Sequence, residues 1–319
     1  METDPETDFA EGSVVAGIDG SPSSFEALRW AAQVARCKRA PLHVAHVLPS
    51  PGVYLSEAAV LIQAQFTEKL ESDSVSLLRR ARELVGAEFS DVDSTFAQYP
   101  GPPSAALVEL SGRAGLLVLG ATGAGTVGAM LVGSTGQRVA NHARCPVLVC
   151  RGGGPVEADE RPIVVGVDGS ALSIQAVGIA HEYAAVLGAR LVAVHAWGPA
   201  RTIQRYGAFR LVDWPAVEAE ERALLAESMA GHSAAWPDVR VETVLEQNSA
   251  GRTLLEYAGQ ARFVVVGSRG RSRIAGALLG STSQNLLHHS PCPVMICRGK
   301  GAAGVDGEFD GEAWTSDSV

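Results

Sequence analysis

A chain of 319 residues, 46% hydrophobic and 19% charged, can bury a sizeable core, and its length suits two domains better than one. Its formal net charge of -9 excludes a general nucleic-acid or acidic-membrane partner, which requires a surplus of Lys and Arg against phosphate. The opening METDPETDFAEG is acidic and polar where a secretion signal is basic and then apolar, and no apolar run reaches the length of a membrane span, so the sequence predicts a cytoplasmic protein.

After an acidic segment expected to be disordered (1–12), VVAGI reads as a strand that leads into a helix through Phe25, Leu28, Ala32 and Ala35. Ser21 can cap that helix and Pro22 can open it. Strand LHVAHV follows, then a loop, a helix over about 66–86, a strand near 92–98, and a helix near 103–112. Strand LLVLG, a helix from Ser134 and strand PVLVC complete the unit. Short apolar runs alternating with amphipathic stretches predict βαβ units, and the near-continuous apolar character of the strands predicts a sheet covered on both faces. The expected fold is an α/β three-layer sandwich with a five-stranded, mainly parallel sheet.

The unit then repeats. VVAGIDGS (14–21) returns as IVVGVDGS (163–170), LHVAHV (42–47) as LVAVHA (191–196), and NHARCPVLVCR (141–151) as HHSPCPVMICR (288–298). Asp168 follows Asp19 by 149 positions and Gly267 follows Gly120 by 147, so the second copy is two residues shorter in between. Glycine, proline and charge in GGGPVEADER mark a linker. The expected domains are 13–152 and 162–298, joined by 153–161, with an acidic, glycine-rich, disordered tail over 299–319.

Residues 120–136, GATGAGTVGAMLVGSTG, hold three overlapping glycine patterns. The G-x-G-x-x-G string from Gly123 through Gly125 to Gly128 is lost in the second copy, GSRGRSRIAGALLGST, and follows a late strand rather than the first. The P-loop-like string from Gly128 lacks its lysine in both copies. What both keep is Gly120-x-x-Gly123, nine residues, then Gly133-Ser134-Thr135, matched by Gly267, Gly270 and Gly280-Ser281-Thr282. Gly120 and Gly123 allow positive φ and a close backbone approach, and Gly-Ser-Thr at a helix N-terminus offers donors to phosphate. Glycines that only make turns, with Ser and Thr that only cap, are the plainer alternative.

Asp19 and Asp168 end the first strand of each copy, within Gly17-Ile-Asp19 and Gly166-Val-Asp168. A carboxylate beyond the carboxyl end of a parallel strand can meet a ribose or a phosphate-borne magnesium ion; it can equally organise a turn. His46 pairs with His195 and His142 with His289, without a nucleophile elbow. Cys145 and Cys150, like Cys292 and Cys297, stand an odd spacing apart beside a strand, which predicts buried thiols on opposite faces rather than a metal pair. The stretch GPARTIQRYGAFRLVDW (198–214), with Arg201, Arg205 and Arg210, reads as a surface loop or a mobile cover, and Asn248 replaces Gly101 before the third helix.

The DGS at the first strand end, G-x2-G-x9-G-[ST] and the closing CPVLV strand together resemble the universal stress protein family in its tandem form. That resemblance implies a fold of the adenine nucleotide alpha-hydrolase kind, with ATP in each half and Mg2+ accompanying it near Asp19 and Asp168. It places the glycine motif on ribose and phosphates, the Asp near the nucleotide, and the end of the second strand on adenine. The residues so implicated are Asp19, Val47, Gly120, Gly123, Gly133 and Ser134, with Gly17, Thr122 and Thr135 beside them. In the second half they are Asp168, Ala196, Gly267, Gly270, Gly280 and Ser281, with Gly166, Arg269 and Thr282. Arg269, Arg271 and Arg273 face Thr122, Ala124 and Thr126 of the first copy, so tighter, more salt-sensitive binding is expected in the second site. The resemblance also implies pairing of the last strands into a pseudo-dimer, with a homodimer of chains left open, and nucleotide-dependent regulation of a protein partner. No lysine, base or nucleophile recurs at the site, which favours binding over turnover. A slow ATPase or nucleotidyl-transferring enzyme and a structural module without nucleotide are the alternatives.

Overall fold

The structure, a computed structural model, describes residues 9–48, 57–121, 132–151, 160–198, 213–270 and 279–298. In the first half the order is β1 (Val14–Ile18), α1 (Pro22–Lys38), β2 (Leu42–Leu48), α2 (Glu57–Glu88), β3 (Ser94–Pro100), α3 (Pro103–Leu110), β4 (Leu116–Gly120), α4 (Ser134–His142) and β5 (Val147–Cys150). The second half repeats it as β6 (Ile163–Gly166), α5 (Ala171–Leu187), β7 (Leu191–Trp197), α6 (Trp214–Ala235), β8 (Val241–Gln247), α7 (Ala250–Ala258), β9 (Phe263–Gly267), α8 (Ser281–His289) and β10 (Val294–Cys297). The helix expected over 66–86 runs longer, from Glu57 to Glu88.

The strands form a single sheet in the order β3-β2-β1-β4-β5-β10-β9-β6-β7-β8. Within each half every neighbouring pair is parallel, and the chain reverses its direction of winding between β1 and β4, and between β6 and β9. Such a reversal leaves a crevice beyond the strand ends. The halves join antiparallel, Leu148 opposite Met295, so β5 and β10 cover each other's edges, as the family resemblance implied.

Two apolar cores lie on the two sides of the sheet. Residues from α1, α2, α5 and α6 build one, including Leu28, Ala81, Val177 and Leu225. The other holds Leu107, Val139, Leu254 and Leu286 from α3, α4, α7 and α8. The cysteines report the same geometry: Cys150 and Cys297 belong to the first core, Cys145 and Cys292 to the second. Members of each pair therefore point to opposite faces and cannot share a metal ion. Burial pushes the Cys145 thiol up to about 12 and that of Cys292 to about 11, which keeps both protonated and unreactive.

The first helix starts as its sequence dictates. Ser21 is the N-cap and accepts from the Ser24 N–H at 3.2 Å, and Pro22 occupies the first turn, where its missing N–H costs nothing. Trp30 of α1 is buried and meets Phe263 of the other half edge-on at 6.1 Å between ring centroids. Burial of an aromatic of this size contributes about 2–3 kcal/mol. The ion pair between Lys38 and Glu182, 2.6 Å, adds a contact between α1 and α5.

Candidate functional site

A pocket of about 230 Å³ opens at the switch point of the first half. Its walls come from the ends of β1, β2 and β4, from α3, and from the first turn of α4; Gly17, Asp19, Val47, Gly120, Gly133, Ser134 and Thr135 all line it. These residues are spread over 119 positions of sequence, and the sheet order brings them together. Thr122 and Gly123 lie outside the described residues, as do the inner glycines Gly125 and Gly128.

Asp19 stands directly after β1. Its Oδ1 accepts from the Ser21 N–H at 3.0 Å and from the Ser21 hydroxyl at 2.6 Å, and Ser21 in turn caps α1. Between them Gly20 sits at φ +86°, which a side chain would resist. The second half repeats this turn: Asp168 Oδ1 accepts from Ser170 N–H at 2.9 Å, Gly169 has φ +74°, and the Asp168 N–H donates to Ser173 Oγ at 2.9 Å. Turn-making is thus part of what each aspartate does. In the second half the other oxygen faces the glycine loop, because a Cβ on Gly270 would lie 2.5 Å from Asp168 Oδ2.

The glycines of the frame act differently from the positive-φ role expected of Gly120. Neither Gly120 nor Gly267 has a positive φ. A Cβ on Gly120 would come within 2.7 Å of the Ser23 backbone, and one on Gly267 within 3.1 Å of the Leu172 backbone. Their bare Cα atoms let the first turn of α1 and of α5 pack against the adjoining strand, which brings the Asp turn over the loop. Positive φ falls instead on Gly20 and Gly169, in the Asp-Gly-Ser turn.

Gly133 and Gly280 are N-caps of α4 and α8, with φ of −61° and −72° and no side-chain capping bond. Each fixes the loop by donating its N–H back to the strand end, Gly133 to Ala121 O and Gly280 to Ser268 O, both at 2.8 Å. Ser134 and Thr135, like Ser281 and Thr282, therefore occupy the first turn rather than the cap. The backbone N–H groups there have no intrahelical partner, and the helix dipole adds positive potential, so the turn is suited to an anion. A Cβ on Gly280 would lie 3.6 Å from the Gly270 N, so Asp168, Gly270 and the α8 N-terminus converge in the second half. Ala196 is the penultimate residue of the buried β7, and Gly166 packs against Leu254. Arg269 is exposed beside Gly270; Arg271 and Arg273 lie outside the described residues, as does 199–212 of the proposed cover.

Over the matched regions 12–151 and 160–298, the chain fits the model of the universal stress protein family twice. The chain belongs to the universal stress protein family. It is 34% identical over 293 residues to universal stress protein Rv2005c of Mycobacterium tuberculosis, covering 89% of this chain and 96% of that one. A second relative from that organism, universal stress protein Rv2623, is 32% identical over 292 residues. A crystal structure of a universal stress protein from Archaeoglobus fulgidus shares the fold at a TM-score of 0.61 and 18% identity, over 92% of this chain and all of that one.

In this universal stress protein the paired histidines support the site from behind. His46 Nδ1 donates to Ile18 O at 2.8 Å and His195 Nδ1 to Val167 O at 2.7 Å, in each case the carbonyl just before the aspartate. The second copy adds a partner: His195 Nε2 lies 2.7 Å from Glu221 Oε2 on α6. At the corresponding place on α2, Ser74 instead donates to Gln98 Oε1 at 2.7 Å. The internal repeat showed these histidines as paired, but the carbonyls they hold could be found only in three dimensions. Asn248 also gains an explanation. Gly101 takes φ +109°, which glycine adopts freely, whereas Asn248 adopts no positive φ and accepts the Ser249 N–H at 2.8 Å through its own Oδ1.

Proposed function

We propose that each half, 13–152 and 162–298, binds one adenine nucleotide, ATP, and that occupancy regulates a protein partner in stress response or dormancy. The observation that carries this reading is the twofold convergence of a strand-end aspartate, a glycine strand end and an uncapped helix N-terminus at a switch-point crevice. Ser134, Thr135, Ser281 and Thr282 are suited to phosphate oxygens, and the ends of β2 and β7 at Val47 and Ala196 to a base. Among the described residues no three of His, Cys, Asp and Glu gather as a metal site. One carboxylate per half instead matches Mg2+, which is usually carried by phosphates and anchored by one or two protein oxygens.

Binding fits better than turnover, since the Nδ1 of both His46 and His195 is committed to a backbone carbonyl. A cytoplasmic location fits the absence, among the described helices, of any long and apolar enough to cross a membrane. Titration calorimetry with ATP and Mg2+ tests the reading: two molecules bound per chain support it, and Asp19→Ala and Asp168→Ala should each remove one. Mass spectrometry of ligand released from the native protein gives an independent check. Protein that carries no nucleotide and ignores added ATP would leave a purely structural module, while sustained release of ADP from labelled ATP would make it an enzyme.

A further inference from the structure

We infer that each half completes the site of the other through Arg151 and Arg298, which couples the two sites across the β5–β10 seam; this rests on the nucleotide reading above. Arg151 directly follows β5, whose last carbonyl, Cys150 O, takes the Ala121 N–H at the root of the first glycine loop. Its Nη1 crosses the seam and donates to His288 O at 2.7 Å, in the last turn of α8. Arg298 does the reverse. It follows β10, whose Cys297 O takes the Ser268 N–H at the root of the second loop, and its Nη1 donates to Ala140 O at 3.0 Å and to Asn141 O at the end of α4. Gln175 of α5 donates to Arg298 O at 3.1 Å, tying the same residue to the helix that the Asp168 turn opens.

Each guanidinium satisfies carbonyls that a helix end leaves without partners, and its charge complements the negative end of the helix dipole. The positive ends of the same two helices form the candidate phosphate sites. Each helix has nine residues, so its two ends lie only about 13 Å apart. Polar atoms Gln137 Oε1, Asn141 Oδ1 and His288 Nδ1 on these helices are buried without a hydrogen-bond partner, so the arginines are prominent among the polar ties holding them. Burial, with the charge of Arg269 in the second site, weakens the Arg298 guanidinium's hold on its proton. An anion held by Arg269 relieves that repulsion, so filling the second site tightens the first, and by linkage the first tightens the second by the same factor.

Photoaffinity labelling of the full-length protein with 8-azido-ATP and Mg2+, followed by peptide mass spectrometry, reads each half separately. Arg298→Gln should weaken labelling of the first half about two- to fivefold, with a smaller change in the second, and Arg151→Gln should do the opposite. Arg298→Lys, which keeps the charge, should recover most of the loss, and it carries the test if circular dichroism shows the Gln variant unfolded. A loss confined to the half that bears the substitution, or equal in both, overturns the coupling. Wild-type protein that takes no label in either half overturns the nucleotide reading and this inference with it.

Discussion

The two halves descend from one unit and keep one scaffold, yet their sites are supported by different polar chemistry. Both align the strand-end aspartate through a histidine on the neighbouring strand, but only the second histidine has a carboxylate behind it, where the first half places Ser74 and Gln98. The first half carries another histidine of its own. His43 is buried between Thr95 Oγ1 and Tyr99 Oη, each 2.8 Å away, with the Phe9 ring stacked at 4.5 Å; Val192 stands at the matching place in β7. Duplication preserved the backbone frame of the candidate site, while the buried polar residues behind it were free to change wherever a local partner compensated.

The largest expected difference lies in acid. Burial, aided by the nearby Arg113 charge, lowers the His43 imidazole to about 4. The unfolded chain, with an ordinary histidine, then binds the additional proton between about pH 6.5 and 4, so stability falls as pH drops through that window, by about 3 kcal/mol. Urea unfolding across this range should show the loss, and His43→Val, which copies the second half, should flatten the slope. An unchanged slope in that variant would remove His43 as its source.

Next is the carboxylate behind the second site. Glu221→Ala leaves a buried imidazole nitrogen without its charged partner and should cost about 2 kcal/mol, against about 1 kcal/mol for Ser74→Ala, measured by denaturant midpoints. If His195 acts on nucleotide through Asp168, the effects of His195→Asn and Asp168→Ala on affinity should be non-additive. Additive effects would leave His195 a merely structural residue. A comparable stability contrast concerns packing: Gly120→Ala should destabilise by about 1–2 kcal/mol and Gly267→Ala by less, since the clash with backbone is 2.7 Å in the first and 3.1 Å in the second. The smallest effect is expected from Arg269→Thr, under about 1 kcal/mol of nucleotide affinity at the second site, visible as a flatter dependence on salt.

Periodicity and the internal repeat revealed much of the fold, because strands buried on both faces read as apolar runs and Ser21-Pro22 marks a helix start. Of the outer frame of the glycine motif, Gly120 and Gly267 end equivalent strands, and Gly133 and Gly280 cap equivalent helices. The purpose of its members was less legible. Gly120 looked like a residue chosen for its backbone freedom, but what requires it is the approach of Ser23, some 97 positions earlier in the chain. Arg151 and Arg298 were visible as a repeated basic residue after the last strand of each half, and that was the available signal. Their targets lie in the opposite half, beyond the reach of any local pattern.

The seam between β5 and β10 lies within one chain, so it cannot come apart by dilution as an interface between separate molecules can. A tethered partner is present at an effective concentration on the order of millimolar, whatever the amount of protein in the cell. In a pair of identical chains every substitution would fall on both sites at once. Here a change such as Arg269 can arise in one half alone, and the fused seam is what makes that inequality heritable.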